Sequence, residues 1–313
     1  MENYVIAMAV SAGIYALMAL GVNVMWGFAG MVNLGLVGFF AVGAYVSALL
    51  TKAGHAIAFG MVAAALIASA VGALVSLVTV RLRGDYLAIV TLGFAETIRI
   101  VASNAIPLTN GTDGISGIPG PYRGALSPEQ FNLLYLAIVA VIVAVAYVCA
   151  ERLRASPFGR VLRAIRDDEQ VAAVAGKHVT FFKVKAFALG SAALGLAGAL
   201  YAHYTSYIAP DIFVPLFTLY IKLALLAGGL GNNRGAIIGA FAVVVLLEGS
   251  RFAIPLFHGL TPVQGAAVRE FLVAAVLILM LRYRPAGLIP EKPPRLPAPP
   301  ERGQSALARS GSG

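Results

Sequence analysis

From Asn3 to Thr51 the chain carries no Asp, Glu, Lys or Arg. A membrane-crossing helix needs about 20 apolar residues, so this stretch accommodates two spans and a turn. The rest of the chain agrees: of 313 residues, 59% are apolar and only 12% charged, against roughly 25% charged in soluble domains. The expected fold is an all-α integral membrane protein, a polytopic helical bundle. Glu2 precedes the run, no basic region leads it, and it is longer than the apolar core of a secretion signal. It therefore reads as a retained first span. The single cysteine, Cys149, leaves no intrachain disulfide or cysteine-based metal site and reads as a small buried apolar residue.

Apolar runs place about nine transmembrane helices, with eight to ten as the range, at 4–25, 33–50, 57–80, 85–102, 131–150, 184–203, 217–230, 236–254 and 268–282. Residues 1–284 then form a single transmembrane domain. Residues 285–313, rich in proline (Pro293, Pro294, Pro297, Pro299, Pro300), read as a disordered cytoplasmic tail. The net charge of +9 is no sign of nucleic acid, because of where it sits. Seven Lys or Arg fall between Arg152 and Lys183 and six between Arg282 and Arg309, whereas Arg123 stands alone in the loop 103–132. Basic clusters at span ends mark the cytoplasmic side. The loop 151–183 is thus expected inside and 103–132 outside.

Three features carry the functional expectation. The inner loop 151–183 holds a Ser156-Pro157 helix start, arginines at 160, 163 and 166, and then Asp167, Asp168 and Glu169 opening a second short helix that Gly176 ends. Two amphipathic helices with small residues, Ala172 and Ala173, at their centre suit docking of a soluble partner. The plain alternative is a solvated connection. The second feature is Trp26–Gly35, where Gly27, Gly30 and Asn33 interrupt the uncharged run. This is either a tight turn or a broken helix beside a cavity. The third is charge at membrane depth. Glu96 and Arg99, i and i+3 on one helix, and Lys222 are candidates for a translocation path, although Glu96–Arg99 equally suits an internal ion pair. Glu248 could also sit at depth, while Arg251 and Glu270 read as interfacial and Tyr201, His203 and Tyr204 as an aromatic belt. Ser191, Gly195 and Ala199, four apart, suit close helix packing in lipid.

The run Glu169-Gln170-Val171-Ala172-Ala173-Val174-Ala175-Gly176 resembles the coupling loop of ABC importer permeases. Arg83–Phe94, Gly111–Ile115, Phe158–Glu169, Gly228–Gly231 and Gly235–Ala240 together are similar to the LivM-type permease of branched-chain amino-acid ABC transporters. The resemblance implies a fold similar to vitamin B12-type importer permeases. It implies three kinds of partner: a second, LivH-type permease, two ABC ATPase subunits and a periplasmic or lipid-anchored amino-acid-binding protein. It also implies a bacterial or archaeal inner-membrane location. ATP-Mg would lie on the ATPases, because this chain has no G-x-x-x-x-G-K-[ST] loop, and no cofactor is expected on the chain itself. The implied coupling residues are Gly159, Arg163, Arg166, Asp167, Asp168, Glu169, Ala172, Ala173 and Gly176. The implied cargo is a branched-chain or related amino acid, with urea, amides or another small solute as alternatives. An ion-coupled secondary transporter is the competing class, and a membrane enzyme is disfavoured because no nucleophile–base set is visible.

Overall fold

The computed structural model describes residues 2–82, 84–253, 262–284 and 286–291. In chain order the helices are α1 (Glu2–Val22), α2 (Leu36–Lys52), α3 (Ile57–Thr79), α4 (Asp85–Asn104), α5 (Ile106–Thr109), α6 (Pro128–Ala155), α7 (Pro157–Asp167), α8 (Glu169–Val174), α9 (Val179–Thr205), α10 (Pro215–Gly228), α11 (Asn233–Ala253) and α12 (Pro262–Tyr283). Each expected span falls on one of the long helices. Seven segments among the described residues are long and apolar enough to cross a membrane, and α2 is a shorter apolar helix of 17 residues. The chain is therefore a multi-pass helical membrane protein.

Alternation of the helices gives the bundle two ends. The basic end gathers the connections 29–35, 156–178 and 229–232 with the segment 286–291. The neutral end gathers 105–127 and 206–214. There the two-residue strands β1 (Ile115–Ser116) and β2 (Tyr207–Ile208) pair antiparallel, tying the long outer loop to the end of α9. Helix α6 starts three residues earlier than its apolar run. Ser127 and Gln130 form a reciprocal capping box with Pro128 at the first position, which satisfies amide groups the helix start leaves free.

Helix α9 runs through the centre and packs on α1, α2 and α3. Its small residues make this possible. A Cβ at Gly195 would overlap Ala68, and one at Gly43 of α2 would overlap the backbone of Gly195. Lipid supplies no hydrophobic drive between helices, so close backbone approach is what holds them. Phe39, Phe40, Phe187 and Phe213 fill the space beside this seam and are almost wholly buried.

Three expectations change. His203 is no belt residue: it is completely buried, with Nε2 2.8 Å from Ser47 Oγ and Nδ1 2.7 Å from the Pro119 carbonyl. Arg123 donates to the Tyr204 carbonyl and Ser206 hydroxyl, so these groups anchor the outer loop. Cys149 is exposed on α6 rather than buried. The expected tail begins differently from a free chain, since residues 286–291 pack against the basic end. Residues 292–313 lie outside the described residues, as does Arg83, and so do the side chains of Arg251 and Arg269.

Candidate functional site

The loop 151–183 folds as two short helices. The Ser156 hydroxyl accepts from Gly159 N at 3.2 Å to start α7. Asp168, in extended backbone, breaks the path and caps α8, its carboxylate accepting from Gln170 N at 2.8 Å and Val171 N at 3.0 Å. Gly176 follows α8 at φ +77°, with open space where a Cβ would stand. A side chain there meets backbone strain, not crowding.

Helix α7 presents Leu162 and Ile165 to the bundle, both buried, and Phe158 stacks on Phe182 of α9 at 5.1 Å. The arginines divide. Arg160 is exposed and donates to the Ala155 carbonyl at 3.1 Å. Arg163 and Arg166 turn inward. Arg166 donates to the Gly27 carbonyl and meets Glu291 at 2.8 Å, and Arg163 stands 3.9 Å from the same carboxylate. Gly159 is also inward, at the tight α6–α7 corner, where a Cβ would overlap the Leu153 carbonyl. Asp167 is exposed beside Arg166 at 3.3 Å.

Helix α8 has one buried residue, Ala172. Its other face is apolar and open: Val171 is 64% exposed and Val174 90% exposed, and Ala173 is exposed between them. Glu169 fixes this helix by an ion pair of 2.8 Å with Lys183 at the start of α9. Thus the predicted central pair splits. Ala172 faces the protein, Ala173 faces outward, and the two valines flanking the pair, part of the quoted run but given no role of their own, share the outward face. Their signal was present, since Val171 and Val174 are i and i+3 on a helix otherwise capped by charge.

The candidate path residues separate into two places. Gly27 and Gly30 lie at the basic end. Helix α1 finishes in a π-helical turn, Asn23–Phe28, a form that recurs at functional positions. Gly27 is pressed against Gly231, and a Cβ at Gly30, where φ is +70°, would stand 3.0 Å from Arg166. Asn33 is buried, with its Oδ1 accepting from Gly35 N at 2.7 Å. The interruption is therefore a turn built against the basic loop. Asn23 carries no such signal in the sequence, because it precedes the glycines that mark the interruption. It is completely buried, accepts from Gly231 N and donates to Asn233 Oδ1, each at 2.9 Å.

Glu96 and Arg99 do pair, Nε to Oε2 being 3.0 Å. The pair is not inside this chain's bundle, for the side chains are 38% and 29% exposed on an open face of α4 with Ile89, Gly93, Thr97 and Ile100. Lys222 is half-buried in α10 with its Nζ 4.6 Å from the Trp26 ring centre, a cation–π distance. Among the described residues it has no carboxylate in ion-pair range. Glu248 accepts from the Tyr4 hydroxyl at 2.6 Å and lines a groove with exposed Glu270.

A family model described as the permease component of the branched-chain amino acid transport system matches residues 4–281. The high-affinity branched-chain amino acid transport system permease protein LivM of Salmonella typhimurium is 31% identical over 309 residues, covering 90% of this chain and 69% of the relative. The branched-chain amino acid transport permease protein LivM of Methanocaldococcus jannaschii is 31% identical over 325 residues, with 90% and 92% covered. The LivH permease protein of the same system in Escherichia coli K12 is 27% identical over 291 residues, with 88% and 91% covered. No solved structure matches the chain.

Proposed function

The chain belongs to the permease family of branched-chain amino acid transport systems, and on that premise we propose that it is the LivM-type permease subunit of an ABC importer for branched-chain amino acids. As a transport subunit it conducts, and ATP hydrolysis belongs to separate ATPase chains. The chain resembles both LivM and LivH permeases, which supports a permease pair. The binding protein on the outer side and an inner-membrane location follow from this reading.

The observation that carries the coupling assignment is the apolar face of α8. Val171, Ala173 and Val174 stand exposed at the basic end, held by the Glu169–Lys183 pair between two charged helix starts. The basic end is the cytoplasmic one, so this face meets a soluble partner there. Helix α4 supplies the path. A charge pair at membrane depth faces protein or a watery cavity rather than lipid, so the open Glu96–Arg99 face lines the route against the second permease. There the pair offers one group to each end of a zwitterionic amino acid. Lys222 lies farther along, at the basic half of α10.

The test is Ala173→Arg in the complex co-expressed with its ATPase subunits. Burying an unpaired guanidinium in the docking cleft costs on the order of several kcal/mol. The variant should insert in the membrane normally yet lose ATPase co-purification or leucine uptake. Wild-type uptake and co-purification in this variant would reduce the loop to a solvated connection.

A further inference from the structure

The segment 286–291 returns across the basic end as a strap. Leu288 N donates to the Ala227 carbonyl and Ile289 N to the Gly228 carbonyl, each at 2.8 Å. Asn232 Nδ2 donates to the Pro290 carbonyl at 3.1 Å. The strap is thereby registered on the α10–α11 turn. Gly229 is required for this approach, because it sits at φ +125° and a Cβ would overlap the Ile289 carbonyl. The next residue is Glu291, delivered to α7. Its Oε2 is 2.8 Å from Arg166 Nη1, and its Oε1 is 3.9 Å from Arg163 Nη1.

These contacts close a ring. The same Arg166 Nη1 donates to the Gly27 carbonyl in the π-turn of α1. Asn23 in that turn holds Gly231 and Asn233 of the α10–α11 connection, and Asn233 donates to Glu151 of α6 at 2.9 Å. By contrast, α7's own chain connections are extended single residues, Ser156 on one side and Asp168 on the other. Such joints let a helix pivot about the chain unless something else holds it. Leu162 and Ile165 supply contact without direction; Arg163 bonds back to the Arg154 carbonyl and Arg166 to the Gly27 carbonyl, and the charged bond from Arg166 to Glu291 adds the link to the strap.

We propose that Glu291 is a positioning residue for transport: it locks α7 to the ends of α1, α10 and α11, so that a displacement imposed on α7 is delivered to the spans rather than absorbed at the Ser156 and Asp168 joints. This rests on reading α7–α8 as the coupling element. The strap is then part of the transmission, and the carboxylate at its end is the link whose loss lets α7 slip.

The experiment compares wild type, Glu291→Ala and Glu291→Asp in the complex with its ATPase subunits, reconstituted with the binding protein in proteoliposomes. Leucine imported and ATP hydrolysed are measured in the same vesicles. Glu291→Ala should keep its ATPase subunits and their hydrolysis while leucine imported per ATP falls about fivefold to tenfold, the scale at which network residues modulate coupling. Glu291→Asp, which retains the charge, should recover much of the ratio. A merely structural role would lower expression and both rates together and leave the ratio alone. A wild-type ratio in Glu291→Ala overturns the proposal. So does loss of the ATPase from that variant, since the carboxylate would then serve docking rather than transmission. A wild-type chain that brings down no ATPase would instead overturn the coupling reading itself.

Discussion

At the scale of single residues, several charged groups among the described residues work in pairs. Lys183 is 9% exposed at its side chain and Glu169 is 25% exposed, and together they hold α8 to α9. A lysine taken this far out of water needs its partner. Replacing Lys183 by Met removes one charged partner of a partly buried carboxylate and should destabilise the protein by about 1–3 kcal/mol, the scale of a lost charged hydrogen bond. Thermal unfolding in detergent measures this. Adding Glu169→Gln should restore part of the loss, because the two changes share one interaction; additive losses would mean that the pair contributes nothing. The basic residues were legible in the sequence as signs of sidedness, but their partners were not. Arg163 and Arg166 looked like a charged docking surface, yet they face Glu291 and the Gly27 carbonyl. Glu291 was hidden in a segment read from its prolines as a free tail. Helical spacing tells which residues share a face, and only the packed fold tells which way the face turns.

At the scale of elements, apolar length found every long helix among the described residues, since a helix crosses lipid with its backbone bonds satisfied within itself. Helix ends were less legible where chemistry outside the apolar run sets them. The Ser127–Gln130 capping box extends α6 beyond its apolar stretch, and the Gly228–Gly231 turn ends α10 after only 14 residues. The pairing of Ile115 with Ile208 had no local signal, as it joins loops far apart in sequence. The seam of small residues on α9 was visible and meets α2 and α3 as close packing requires. At Gly195 even a Cβ overlaps Ala68 of α3. Gly195→Val should therefore separate α9 from α3 and cost more than the about 1–3 kcal/mol typical of overpacking. The measurable outcome is loss of monodisperse protein by size exclusion in detergent. Gly93→Val, on the open face of α4 where a Cβ meets nothing, should remain monodisperse. Equal behaviour of the two variants would contradict the seam.

At the scale of the whole molecule, the two ends differ in kind. The neutral end is stapled by backbone pairing, by buried His203 and by half-buried Arg123. The basic end is a ring of side-chain links among α1, α6, α7, α10, α11 and the strap, with an apolar helix face left open beside it. That division suits a permease gripped from inside by ATPase subunits and approached from outside by a binding protein. On the proposed reading the energy enters through α7 and α8 rather than through an ion path, and the few carboxylates at membrane depth suit that reading. The proposed function has ATP, not an ion gradient, drive this permease. The most direct measurement is leucine accumulation in proteoliposomes carrying the complex and its binding protein, with ATP supplied on the α7–α8 side and ionophores collapsing proton and sodium gradients. Accumulation should require ATP and persist without the gradients. Accumulation driven by a proton or sodium gradient in the absence of ATP would contradict it.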